Sequence, residues 1–312
     1  MAEAPVGFVG IGHMGLGMAL RLLERGWDVG VHDLDAARER AAQAAGATVH
    51  ADAASAARGR GLLIVAVVDD AQTQQVLFGE RGAVHGLARG AAVMLCPTLS
   101  PQAVEDCAAR LEAQGIDCID APMSGGPARA RDGTMSLMVA CADALFQRWQ
   151  GLLRDLSSRL FRIGTTPGDG ARTKLVNNLL AAINLAGAAE ALALAEALGL
   201  DAAATLAVIE ASSGQSWIGS DRLRRALAAD PAVHAQMALL AKDSRLAMAM
   251  AAAAGVQPRL GGVAAAHFAA ACADGLAGAD DAALWRWLAA RGGEQDLRPR
   301  PGADSSAPGS AP

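Results

Sequence analysis

Lysine is almost missing from this 312-residue chain. Of its 27 Lys and Arg residues, Lys174 and Lys242 are the only lysines. Arginine serves most exposed basic positions, so the two survivors mark places where it cannot substitute. A desolvated lysine can give up its proton, whereas an arginine cannot. Aromatic residues are also scarce, at 3%. No basic cluster interleaved with aromatics occurs, and the net charge is −5, which argues against a nucleic-acid partner. The five cysteines, Cys96, Cys107, Cys118, Cys141 and Cys272, are odd in number, scattered, and form no CxxC pair. They read as reduced, mostly buried thiols of a reducing compartment, and no metal site is expected. The first strand begins by about Pro5, which leaves no room for a signal peptide, so a cytoplasmic protein is expected. What is present is 52% apolar residues and 19% charged, the balance of a packed globular chain whose length suggests two domains.

Residues 170–199 contain no proline and only three glycines, and are rich in Ala and Leu, the strongest helix formers. As one helix this stretch spans about 45 Å, far longer than an ordinary helix, and so reads as a spine joining two halves. Lys174 and Asn178 stand four apart and share a face. Asn177, Asn178, Asn184, Glu190 and Glu196 interrupt its apolar run, and on that ground no membrane span is expected.

At the other end, residues 6–12 (VGFVGIG) form a short apolar strand ending in glycines, followed by helical spacing through Met14, Met18 and Leu22 and a second strand ending in Asp33. Gly10, Gly12 and Gly15 make a G-x-G-x-x-G between strand and helix, with an acidic residue 18 positions further on. In that setting the pattern predicts a dinucleotide site. Gly10 permits the tight turn, Gly12 lets the backbone approach a pyrophosphate, and Gly15 allows close helix–strand packing. The helix start, with His13 and Met14, offers free N–H groups to phosphate, the His13 ring standing in solvent. Asp33 suits both hydroxyls of the adenosine ribose and repels a 2′-phosphate, so NAD is expected over NADP.

The alternation continues with a helix at 37–46 and strands at 47–50, 62–68, 91–101 and 116–122. The fully apolar run at 62–68 is what a parallel sheet demands. Its exit, Asp69 to Gln72, is expected to be a loop over the crevice. Ligands in such sheets sit at the carboxyl ends of strands, which gathers 10–15, 67–72, 96–100 and 123–127 on one edge. The consecutive Gly125 and Gly126 after Ser124 can turn successive N–H groups onto a small carboxylate. Beyond the spine, helices are expected at 202–211, 221–228, 233–254, 260–275 and 280–290, with 212–217 a polar loop carrying Trp217. Lys242 and Asp243, being adjacent, are expected to find separate partners. Residues 292–312, rich in Gly, Pro, Ser and Asp, read as a disordered tail.

Four blocks in this order, GFVGIGHMG at 7–15, DAPMSGGPARARDGTMSLMVA at 120–140, GDGARTKLVNNLL at 168–180 and AKDSRLA at 241–247, resemble the β-hydroxyacid dehydrogenases. The likeness covers about residues 6–290, and SSGQSWIGSDR at 212–222 resembles the L-threonate and 3-hydroxyisobutyrate branches more than the tartronate semialdehyde reductases. The resemblance implies an α/β Rossmann-type N-terminal domain with a mostly parallel sheet (1–165). It further implies a long interdomain helix and an all-α C-terminal domain (166–291) that forms homodimers or homotetramers. It implies Lys174 as the proton-transfer residue with Asn178 beside it, Ser124, Gly125 and Gly126 around the substrate carboxylate, and Val67, Val68, Gln72, Thr98 and Lys242 at the nicotinamide half of the cofactor. The implied reaction is NAD-dependent oxidation of a small 3-hydroxy acid resembling 3-hydroxyisobutyrate. L-Threonate or another sugar acid, or tartronate semialdehyde reduction, is the alternative, and a cofactor-binding module without turnover is the more distant one.

The sequence departs from the family pattern in places. Leu95–Cys96–Pro97 stand where an Asp and a Ser usually precede the threonine, Val67–Val68 replace Leu-Pro, and Ala140–Cys141 replace two glycines. Arg129 occupies a usually small position; it and Arg131 are candidates to meet a second anionic or polyhydroxyl group of the substrate.

Overall fold

The computed structural model of the chain describes residues 4–291, and the expected tail at 292–312 lies outside them. Among the described residues the strands are β1 Val6–Val9, β2 Val29–His32, β3 Thr48–Val49, β4 Leu62–Val65, β5 Ala92–Leu95, β6 Asp117–Asp120, β7 Met123–Ser124, β8 Ser136–Ala140 and β9 Arg159–Gly164. They form one sheet in the order 3-2-1-4-5-6-8-7, with β9 on β8. The first six pair in parallel; β8 runs antiparallel to β6 and β7 and parallel to β9. The order reverses direction at β1, where β2 lies on one side and β4 on the other, so the turn after β1 opens into the switch-point crevice of a doubly wound sheet.

Side chains alternate across the strands. Leu62 and Ile64 enter one core with Phe8, Met94 and Ile119, while Leu63 and Val65 enter the other with Val9, Val93 and Leu95. Helices α1 His13–Glu24, α2 Ala36–Ala44, α3 Ala53–Ala57, α4 Asp70–Phe78, α5 Pro101–Glu112, α6 Gly126–Asp132 and α7 Asp143–Leu156 cover the two faces and edges. Local sequence starts several of them: the side chains of Asp35, Asp52, Asp69 and Ser100 each accept a backbone N–H of the following first turn.

The spine is α8, Asp169–Ala197, and the helices after it are α9 Ala202–Glu210, α10 Trp217–Leu227, α11 Met237–Ala253, α12 Arg259–Ala271 and α13 Leu284–Arg291. Ala182, Leu185, Ala186, Ala189 and Leu192 of α8 recur every three or four residues and pack with Leu223, Leu240, Phe268 and Trp285 in a third core. By length and composition alone α8 could cross a membrane, so its polar residues do not settle the matter as expected. What defines its place is one face buried in this helical core.

Several expectations shift. β4 ends at Val65, not Val68, and the supposed loop at 69–72 is the start of α4, because Asp69 caps Gln72 N–H. Helix α10 begins at Trp217, capped by Ser216, so the tryptophan belongs to a helix rather than to the preceding loop. Helix α11 begins at Met237, four residues later than its spacing suggested, and the Ser124 segment pairs as a short strand.

Candidate active site

The glycine-rich turn has the geometry a dinucleotide needs. Gly10 holds φ +84°, and a β-carbon there would lie 2.8 Å from Val67 Cγ1. At Gly15 a β-carbon would stand 2.3 Å from the Gly10 carbonyl oxygen, so helix α1 can approach β1 only with glycine there. Gly12 is open by contrast: a β-carbon would meet nothing nearer than Arg38 Nη1 at 3.5 Å, which leaves its backbone free to face a pyrophosphate. His13 begins α1 with its side chain exposed, and Met14 packs against the first core. Asp33, just past β2, accepts the Ile11 N–H at 2.6 Å and the Asp35 N–H at 2.8 Å, which ties its carboxylate to the turn. Just past the end of neighbouring β4, Val67 is half-buried and Val68 is exposed, and Gln72 Oε1 accepts the Val68 N–H at 3.1 Å. These residues fit a dinucleotide lying across the carboxyl ends of β1, β2 and β4.

Lys174 lies in the second turn of α8 with only 7% of its surface exposed. Burial lowers its pKa to about 8; neighbouring Lys242 pushes the same way, and Asp243 opposes both. Asn178, one turn on and also buried, donates to Asp243 Oδ2 at 2.6 Å, and Asn177 donates to Asn178 Oδ1 at 3.0 Å. Lys242 Nζ donates to the Thr98 carbonyl at 2.6 Å and lies 3.0 Å from Asp243 Oδ1. The adjacent Lys242 and Asp243 therefore do form an ion pair, against expectation. Asp243 is 7% exposed and Lys242 only partly buried, so bending two side chains together costs less than leaving the carboxylate alone. The result links Asn178, Lys242 and, through Lys242, the turn after β5 to one carboxylate, with Lys174 close enough to feel both charges.

Ser124 pairs with Ser136 on β8, and Gly125 and Gly126 follow with φ of +135° and +79°, conformations that favour glycine. The segment packs against α1: a β-carbon at Gly17 would meet Pro127 O at 3.2 Å and Arg131 N at 3.1 Å. Arg131 is taken up by an ion pair with Glu24, which removes it from the substrate candidates. Arg129 instead lies over Trp217 of the helical domain, its Cζ 5.2 Å from the ring centre.

Two carboxylates carry roles that sequence reasoning missed. Asp243 was visible only as the neighbour of Lys242, and its hub role depends on α11 packing beside α8. Asp120, the last residue of β6, accepts the N–H groups of Gly168 at 2.8 Å and Ala171 at 3.0 Å and so anchors the start of α8 to the sheet. Burial raises its pKa to about 6 despite those backbone donors. The signal for it was an aspartate at a strand end in a buried position, visible in the sequence but without a partner to name.

An architecture of this kind, with a glycine-rich turn and a following aspartate at the switch-point crevice, is that of dinucleotide-binding proteins, many of them oxidoreductases. Comparison with known proteins narrows that class. Residues 5–164 match the NAD-binding domain of 6-phosphogluconate dehydrogenase, and residues 168–288 match the NAD-binding domain of NADP-dependent 3-hydroxyisobutyrate dehydrogenase. An L-threonate dehydrogenase of Escherichia coli O6:H1 is 35% identical over 243 residues, 78% of this chain and 80% of its own length. A 2-(hydroxymethyl)glutarate dehydrogenase of Eubacterium barkeri is 32% identical over 78% of this chain and 81% of its own. The crystal structure of 3-hydroxyisobutyrate dehydrogenase from Salmonella typhimurium superposes with a TM-score of 0.86 at 32% identity, covering 91% of this chain and all of that one. The chain belongs to the β-hydroxyacid dehydrogenase family. It is an oxidoreductase acting on the CH–OH group of a hydroxy acid, with NAD or NADP as cofactor.

Proposed function

We propose that this enzyme oxidises a small 3-hydroxy acid with NAD, using Lys174 to carry the hydroxyl proton. The observation that supports this most is Lys174 itself: a lysine buried at the junction of sheet and helical domain, with a pKa lowered to about 8. In this reading Gly10, Gly12, His13, Met14 and Gly15 receive the pyrophosphate, Asp33 the adenosine ribose, and Val67, Val68, Gln72, Thr98 and Lys242 the nicotinamide half. The Ser124 hydroxyl and the backbone N–H groups of the Ser124–Gly126 loop hold the substrate carboxylate. Bound NAD supplies a hydride acceptor at its nicotinamide. Neutral Lys174 takes the hydroxyl proton as the carbonyl forms, and returns it in the reverse reaction. Asn178 holds Asp243 in place, and Asp243 keeps Lys242 bridged to Thr98. Residues 1–165 then serve as the cofactor domain and 166–291 as the helical substrate domain.

L-Threonate is the second reading, favoured by the 35% identity to an L-threonate dehydrogenase. Reduction of NAD⁺ and NADP⁺ with 3-hydroxyisobutyrate, L-threonate, D-glycerate and serine separates these readings and tests the cofactor preference that Asp33 supports. Lys174→Ala should lower kcat by roughly 10²–10⁴-fold while NAD still binds, and Lys174→Arg should be nearly as damaging because arginine stays protonated. Near-normal turnover by Lys174→Ala would overturn the role. No turnover of any hydroxy acid by the unmodified protein would instead support a cofactor-binding module. The five free cysteines support a reducing compartment such as the cytoplasm.

A further inference from the structure

Arg129 is unusual among the arginines of the described residues. Every other half-buried arginine has a partner: Arg21 donates to the Asp155 carbonyl, Arg60 pairs with Asp28, Arg162 with Asp143, Arg222 with Asp281 and Arg225 with Asp280. Arg38 and Arg131 are likewise paired, with Asp35 and Glu24. Arg129, also half-buried, has neither a hydrogen bond nor a carboxylate among the described residues. A guanidinium partly withdrawn from water without a counter-charge gains more from an anionic ligand than a fully hydrated one does.

Its position says which ligand. The aliphatic part of Arg129 runs back along α6 over Gly125, where a β-carbon would stand 2.9 Å from Arg129 Cδ and 3.2 Å from its Cβ. The guanidinium reaches beyond that loop to the half-exposed Trp217, whose ring also lies 5.8 Å from Arg222 Cζ. Arg222 is neutralised by Asp221 at 2.5 Å and Asp281 at 2.7 Å, so the free charge at the indole belongs to Arg129. Lying over the indole with no side-chain hydrogen bond spent, the Arg129 guanidinium has its N–H donors available, and such a fork binds a carboxylate through two parallel hydrogen bonds.

We propose that Arg129, backed by Trp217, is a specificity-determining residue that receives a second carboxylate of the substrate, remote from the one at Ser124–Gly126. The preferred substrate is then a hydroxy dicarboxylic acid. This rests on the reading that the 124–126 loop holds the first carboxylate. The pocket spans both domains, so it is complete only when Trp217 at the start of α10 stands opposite α6.

Binding of unreactive acids tests the pocket without turnover. Calorimetric titration of the NADH-loaded enzyme with glutarate and with pentanoate should show glutarate binding about tenfold tighter or more. In Arg129→Gln that preference should fall to within about threefold while pentanoate binding is kept, and Arg129→Lys should retain part of it, having the charge but not the fork. Equal affinity for the two acids in the unmodified enzyme overturns the proposal. So does an equal loss of both in Arg129→Gln, which would put Arg129 on the first carboxylate. A loss confined to L-threonate, measured in the same way, would assign the pocket to hydroxyl groups and overturn it as well. If the diacid preference stands and no hydroxy acid is turned over, the pocket survives and the proposed reaction falls.

Discussion

A buried lysine on a helix face among alanines and leucines is costly as a cation, and Lys174 gains only part of that back from Asp243. Its pKa of about 8 means that the ammonium still dominates at neutral pH and that the free amine dominates above about pH 8. Oxidation needs the amine as proton acceptor, so its kcat/KM, which reports the free enzyme, should rise through about pH 8 and level off above. Reduction needs the ammonium and should decline across the same range. Asp243 favours the charged form, so Asp243→Asn should lower the pKa of Lys174 and move the rising limb of oxidation to lower pH. A pH–rate profile of that variant decides the point: an unchanged limb, or one moved to higher pH, would dissociate Asp243 from the proton-transfer step.

At the scale of elements, what matters is how α8 is fixed to the sheet, since its second turn carries Lys174. Two features do this. Asp120 accepts the N–H groups of Gly168 and Ala171, and Gly170 lets the helix start touch the sheet, a β-carbon there standing 2.7 Å from the Met138 carbonyl oxygen and 2.9 Å from Asp120 Oδ2. Asp120→Ala leaves two buried backbone donors unsatisfied and should lower stability by roughly 1–3 kcal/mol. Asp120→Asn keeps an acceptor and should lose less. Urea unfolding of the two variants, read beside kcat, checks this. Equal stability of Asp120→Ala and the unmodified protein would show that Asp120 is not the anchor.

For the whole molecule, the helical domain leaves apolar surface uncovered. Val176, Leu180, Leu194 and Leu198 lie along one side of the α8 stretch opposite its buried face and are 57–67% exposed, and Leu260 and Val263 on neighbouring α12 are 71% and 51% exposed. A surface of this kind supports our inference of a homodimer or homotetramer built on the helical domain. Light scattering on the eluted protein should give two or four times the 31.6 kDa chain mass, and Leu180→Glu with Leu260→Glu should shift it toward the monomer. A monomer in the unmodified protein would remove the inference.

Much of this was already set by the linear chain. The strand–glycine–helix–strand order placed Gly10, Gly12, Gly15 and Asp33 together because their spacing is local, within one turn and two adjoining strands. The scarcity of lysine drew attention to Lys174 and Lys242 because desolvation is a property that arginine cannot share. Short-range punctuation was less legible: Asp69 and Ser216 read as loop residues, although each caps a helix, because capping is decided by the backbone that follows. What only the tertiary structure decided were meetings between segments far apart in the chain. Asp243 meets Asn178 because α11 lies beside α8, and Asp120 meets the start of α8 because β6 ends there. Arg131 pairs with Glu24, while Arg129 reaches Trp217 without meeting a carboxylate among the described residues. Periodicity records which face of an element is buried, but which charge finds a partner depends on distances that exist only once the two domains have closed on each other.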